Sequence, residues 1–174
     1  MRPVVAATLR KDGMADEVNH GRRGFLRGQV RPATPPLRPP WAQAEAAFLQ
    51  ACTRCRNCAV ICPTRVIHLV DGYPEVSFTG GQCTFCGECV RVCAPGALRR
   101  REDEPPWSCR ARISDACIAQ RGVECRVCGE QCEAGAIRFL PQIGGVSQPA
   151  IDAAACSGCG ACVAPCPSAA IRVR

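Results

Sequence analysis

The stretch Cys52-Thr53-Arg54-Cys55-Arg56-Asn57-Cys58-Ala59-Val60-Ile61-Cys62-Pro63 sets four cysteines in the spacing C-x2-C-x2-C-x3-C. The same spacing returns at Cys83, Cys86, Cys89 and Cys93, followed by Ala94-Pro95. It appears again at Cys156, Cys159, Cys162 and Cys166, followed by Pro167. Between them, Cys117, Cys125, Cys128 and Cys132 form a variant, C-x7-C-x2-C-x3-C. Internal repetition of this kind defines an architecture before secondary structure is considered. It uses sixteen of the 17 cysteines and leaves only Cys109.

Seventeen cysteines in 174 residues is nearly one in ten, a density found in disulfide scaffolds and metal proteins. Five Phe, two Trp and one Tyr are the only large aromatic core fillers. Apolar burial alone would not hold two small domains with so few, so covalent or metal staples are required. A secreted disulfide protein would need an apolar leader, and the first 40 residues contain none. The cysteine count is odd, and in a reducing compartment clustered thiols bind metal. No run of 18 apolar residues is present, which excludes a transmembrane span.

Residues 1–40 carry eight basic and three acidic side chains, six of the fifteen prolines and no apolar period. They read as a flexible basic tail. Arg22-Arg23-Gly24-Phe25-Leu26-Arg27 matches a twin-arginine export pattern locally. The following Gly28-Gln29-Val30-Arg31-Pro32 is polar where such a signal needs an apolar segment, which places the protein in the cytoplasm. Residues 41–98 form a first cysteine-rich module, 99–108 a charged, proline-containing linker, and 109–174 a second module. Ala42 to Ala51 is a helix candidate running into Cys52. Val66-Ile67, Ala97-Leu98, Ala136-Ile137 and Ala170-Ile171 follow the last cysteine of each motif as short strand starts. Turn-and-strand segments lie between paired motifs, at Asp71-Gly72-Tyr73-Pro74-Glu75-Val76 and Gly144-Gly145-Val146-Ser147-Gln148-Pro149. The fold class is α+β: two tandem bacterial-type ferredoxin-like modules of short strands and helices after the tail.

Three cysteines at i, i+3 and i+6 let a loop wrap one corner of a cubane cluster. The fourth stands where the chain turns into a helix and points to the neighbouring cluster, so two motifs exchange ligands. Small residues in the loops, Gly87, Gly158 and Gly160, suit a close approach of backbone to cluster. Zinc sites favour two separated C-x2-C pairs, so the cofactors expected are 4Fe–4S clusters, three on the regular motifs and a fourth on the variant. The ligand sets are Cys52, Cys55, Cys58 and Cys93; Cys83, Cys86, Cys89 and Cys62; Cys117, Cys125, Cys128 and Cys166; and Cys156, Cys159, Cys162 and Cys132. In the variant, seven residues from Ile118 to Glu124 replace two, and Glu133 stands where Pro63 and Pro167 stand elsewhere. That site is the one expected to be missing or most labile. Cys109 is expected to be a free thiol.

The formal charge of +7 is no argument for nucleic acid, since no recognition helix or aromatic platform accompanies it. Four thiolates around a +2 core add −2 per cluster, so loading would turn a body of +2 into one near −6 beside a tail of +5. His20 and His68 are isolated, and no nucleophile–base arrangement, phosphate loop or dinucleotide fingerprint is present. The only chemistry visible is one-electron transfer, without an enzyme's substrate site.

Arg22-Arg23-Gly24-Phe25-Leu26-Arg27-Gly28, Arg38-Pro39-Pro40-Trp41, and Phe48-Leu49 running into Cys52-Thr53-Arg54-Cys55 resemble the NapF family. Asp115-Ala116-Cys117, Glu124-Cys125-Arg126 and Cys156-Ser157-Gly158-Cys159-Gly160-Ala161-Cys162 extend the likeness, which runs from about Gly21 to the C-terminus. That family comprises the ferredoxin-type proteins of the periplasmic nitrate reductase system. The resemblance implies a cytoplasmic iron–sulfur protein whose partner is the nitrate reductase catalytic subunit precursor, met before export. Its role would be maturation, by supply of clusters or electrons. The alternative is a polyferredoxin-type electron carrier or an electron-transfer subunit of a redox complex. Cys109 lies outside the family pattern.

Overall fold

Asp71 and Gly72 both take left-handed backbone conformations, with φ of 51° and 82°. That is what a two-residue turn matching the strand twist requires. They join β1 (Ile67–Val70) to β2 (Tyr73–Val76) in an antiparallel hairpin, with Val70 opposite Tyr73 and Ile67 opposite Val76. In the computed structural model, which describes residues 35–101 and 103–174, the same plan occurs twice. The second hairpin pairs β4 (Ile137–Leu140) with β5 (Gln148–Ile151).

Each half is closed by a second pairing of the chain before its first cysteine with the chain after its last. In the second half β3 (Ala111–Ile113) lies antiparallel to β6 (Ile171–Val173). In the first half this shrinks to a single bridge, Ala42 to Leu98. It is extended by hydrogen bonds from Gln43 N to Ala97 O (3.0 Å) and from Arg99 N to Trp41 O (2.8 Å). The expected strand starts are where these ladders form.

The helices are short. α1 (Glu45–Ala51) covers the first loop and buries Phe48. α2 (Asn57–Ile61), α3 (Glu88–Arg91) and α4 (Val127–Glu130) are single turns whose second residues are Cys58, Cys89 and Cys128. Among the described residues, none of these helices is long and apolar enough to cross a membrane. The core is thin: Phe48 and Pro39 are its largest fully buried side chains, and cysteines fill much of the remainder.

Residues 36–174 pack as one unit. The basic tail expected over 1–40, with its twin-arginine pattern, lies outside the described residues up to position 34. The described end of that stretch is packed, with Pro39 and Pro40 buried. Arg38 is the anchor. Its guanidinium lies 4.9 Å from the Phe48 ring centre and 5.6 Å from that of Tyr73. It donates twice to Glu45 (2.7 and 3.0 Å) and once to the Pro74 carbonyl (3.1 Å), and it pairs with Glu75 at 3.6 Å. One planar cation thus ties the start of the body to α1 and β2, a role an ammonium cannot copy. Arg38→Ala is expected to lower the stability of the metal-loaded protein by about 2 kcal/mol, read from its thermal unfolding. Unfolding identical to that of the parent would contradict this.

Candidate metal centres

The three regular cysteine loops share a backbone signature. The residue before the second cysteine is left-handed in each: Arg54 (φ 58°), Phe85 (53°) and Gly158 (75°). So is the residue two before the third: Arg56 (69°), Gly87 (79°) and Gly160 (81°). Left-handed residues are rare for side chains other than glycine, and they gather where backbone is held for function. Alternating left- and right-handed residues turn successive N–H groups to one side, a concavity suited to anionic sulfur. The variant motif lacks this pattern. Arg126 has φ of −127°, and its longer loop instead turns at Gly122, with Val123 N donating to Ile118 O (3.0 Å).

The turn after the fourth cysteine is common to all four motifs, the variant included. Arg65, Gly96, Gly135 and Ala169 each stand three residues beyond it with positive φ. Each donates its N–H back to the cysteine carbonyl, at 2.9 to 3.2 Å. That turn sends the chain into the next strand and aims backbone N–H groups at the fourth sulfur. Leu98 N lies 3.3 Å from Cys93 Sγ, and Ala170 N 3.3 Å from Cys166 Sγ. The apolar pair after three of the motifs therefore also donates a hydrogen bond to the fourth sulfur.

Three cavities lie at these loops. One is lined by Cys52, Cys55, Cys58 and Cys93, with Phe48 and Leu98. A second is lined by Cys62, Cys83, Cys86 and Cys89, beneath Trp41 and Ile67. The third is lined by Cys117, Cys125, Cys128 and Cys166, beside Ile113 and Ile171. Each gathers three cysteines from one motif and one from its partner motif. In the remaining set, Cys156 and Cys159 both raise the Cys162 thiol by their charge. Ala111 N lies 3.5 Å from Cys156 Sγ, and Cys132, two residues beyond α4, is partly buried against the same core. Among the described residues no three ligands converge on one point as a single zinc ion requires. Four thiols standing around an apolar-walled cavity are a donor set suited to a multi-iron cluster.

Electrostatics separates five thiols, the third of each motif and Cys83, from two of the fourth cysteines. Burial, aided by neighbouring thiolates, pushes Cys58, Cys83 and Cys128 up to about 11 and Cys89 and Cys162 up to about 12. Such thiols stay protonated in the metal-free chain and would release the proton to solvent on binding metal. Cys62 and Cys166 go the other way. Burial opposes it, but hydrogen bonds from the hydroxyls of Thr64 and Ser168 and from nearby backbone N–H groups hold both below the usual thiol value. The sulfur–oxygen separations are 3.6 Å and 3.8 Å. The sequence reading passed over these two hydroxyls, although Cys-Pro followed by Thr or Ser occurs in two of the four motifs. Of the glycines singled out from sequence, Gly158 and Gly160 are needed for space as well as for φ. A methyl group would run into the Cys109 carbonyl at the first and into the Phe78 ring at the second. At Gly87 only φ demands glycine, as no atom lies within 4 Å of an added methyl. Cys109 is half-buried with a thiol raised by burial, and none of the three cavities is lined by it.

A hydroxyl hydrogen bond to a ligand sulfur favours the more negative, reduced state of whatever that sulfur holds. Thr64→Val and Ser168→Ala are each expected to lower one reduction potential, by up to about 40 mV for a bond of about 1 kcal/mol. Anaerobic redox titration reads this; potentials equal to the parent's would remove the hydroxyls from the account.

Comparison with known proteins agrees with this geometry. The family model for a 4Fe-4S dicluster domain matches residues 51–98, and a second 4Fe-4S dicluster model matches residues 121–170. The chain is 40% identical to the ferredoxin-type protein NapF of Escherichia coli (strain K12), over 91% of this chain and 96% of that protein. It is 43% identical to the ferredoxin-type protein NapF of Haemophilus influenzae, over 90% and 94%. It is also 32% identical to the methylamine utilization ferredoxin-type protein MauM of Methylobacillus flagellatus, over 86% and 72%. Two tandem 4Fe-4S dicluster domains with near full-length likeness to these proteins identify the chain as a member of the NapF family of ferredoxin-type iron–sulfur proteins.

Proposed function

We propose that sixteen cysteines hold four 4Fe–4S clusters in the exchanged sets predicted from their spacing, in modules spanning residues 41–98 and 109–174. The protein then acts as a cytoplasmic accessory protein in maturation of the periplasmic nitrate reductase catalytic subunit before its export. The near full-length likeness to NapF proteins carries the choice of system. The cysteine-lined cavities support the chemistry, since iron–sulfur clusters held there would give and take single electrons. The chain's own part is to supply thiolates, aim N–H and hydroxyl donors at the ligand sulfurs, and bury the third sulfur of three motifs, Cys89, Cys128 and Cys162. The likeness to ferredoxin-type proteins supports reading the protein as an electron or cluster donor rather than an enzyme.

A second reading, a general electron carrier, is favoured by the likeness to a protein named for methylamine utilization: the same scaffold can serve another system. The two readings part on the client. On the maturation reading, deleting the protein lowers the fraction of exported reductase that is active, while mature enzyme accepts electrons as before. The unexported precursor also co-purifies with the protein under anaerobic conditions, and less of it does so with variants of the cluster cysteines. Periplasmic location, or no association with the precursor, would leave the carrier reading in its place.

A further inference from the structure

The two halves of the body meet at a ligand residue on each side. Cys83 N–H donates to the Cys159 carbonyl at 2.8 Å, so the second loop of the first module is hydrogen-bonded directly to the second loop of the other. The seam is tight. Gly160 lies so close to Phe78 that a methyl group there would overlap the ring, and one at Gly158 would run into the indole nitrogen of Trp107. Trp107 stands edge-on to Phe78 (centroids 6.1 Å apart) and to Phe85 (5.6 Å), and its indole N–H donates to the Ser157 carbonyl at 3.0 Å. The residue at the end of the apparent linker is thus the aromatic plug of the contact, beside both loops.

Elsewhere the neighbour relations are as specific. α2 and α3, which carry Cys58 and Cys89, pack together. In the second half Cys166, from the motif of Cys162, lines the cavity of Cys117, Cys125 and Cys128, and across the seam Cys83 meets Cys159. Each contact joins one ligand set to the next, and together they fix an order.

We propose that the Cys83–Cys159 hydrogen bond is the electronic junction between the two modules. It would join the four ligand sets into one series: the Cys52 set, the Cys83 set, the Cys156 set, then the Cys117 set. This rests on the reading that each set holds a cluster, but not on any client. The variant motif becomes one terminus of the series rather than a link in its middle. The step at the junction moves one electron from the reduced cluster on Cys62, Cys83, Cys86 and Cys89 to the oxidised cluster on Cys132, Cys156, Cys159 and Cys162. The first loses one electron and the second gains it; no bond is made and no proton moves. The electron enters from an external low-potential one-electron donor.

The test uses the full chain, loaded anaerobically and reduced with dithionite. One variant, C52S/C55S/C117S/C125S, keeps only the two inner sets. Another, C83S/C86S/C156S/C159S, keeps only the two outer ones. The inner-pair variant is expected to show an EPR spectrum broadened by coupling between its two clusters, and the outer-pair variant the sum of two unbroadened signals. Equal coupling in both, or broadening in the outer pair alone, would overturn the order. Should either variant fail to retain iron, Trp107→Leu in the four-cluster protein decides the matter, since it lies outside every cysteine motif and removes the aromatic contact with Phe78 and Phe85 at the seam. After flash reduction by a photoexcited flavin, the parent should equilibrate in one phase. The variant should show a second, slower phase, and kinetics identical to the parent's would reject the junction.

Discussion

Everything in this molecule depends on a constraint of reach. A loop that wraps three cysteines around one site cannot also aim the fourth at it, because the chain has by then passed through a helical turn. The fourth thiol faces the cavity of the partner motif, as Cys93 and Cys166 do for cavities lined by Cys52 and Cys117. On the proposed ligand sets no motif would be complete alone, and the hairpins and closing strands hold paired motifs beside one another. With so few large side chains buried, the proposed ligation would take the place that a hydrocarbon core holds in ordinary domains.

Within that shared plan the four motifs are not equal. The three regular loops accept left-handed residues at two places, twice at arginine and once at phenylalanine, a conformational strain tolerated when surrounding structure over-determines it. The variant gives up this wrap but keeps the turn after Cys132 and contributes Cys117, Cys125 and Cys128 to a cavity. Hydroxyl donors add a second difference, since Thr64 and Ser168 serve Cys62 and Cys166 alone. One repeated scaffold can thus hold several centres of unequal character, which a series of one-electron steps requires to have direction.

Much of this was legible in the chain. The motif spacing named the cofactor and Asp71-Gly72 announced its hairpin. The helix expected at the fourth cysteine is instead a single turn that holds the third cysteine and ends before the fourth, and it is absent from the motif of Cys156. What stayed hidden depends on contacts between segments distant in sequence. Arg38 sits in a proline-rich basic stretch with no period, and only the juxtaposed Phe48, Tyr73, Glu45 and Glu75 make it an anchor. Trp107 ends a charged segment that reads as a spacer, yet it seals the seam between modules. The close approach of Cys83 to Cys159 has no local signature, because a backbone hydrogen bond between loops leaves no pattern in either.

The central claim, that four exchanged cysteine sets each hold a cubane cluster, is tested most directly by iron and acid-labile sulfide analysis. The protein should be purified anaerobically, and both quantities counted per chain. About sixteen of each is the predicted result; about twelve would show that the variant motif holds no cluster, and iron without matching sulfide would contradict the account altogether.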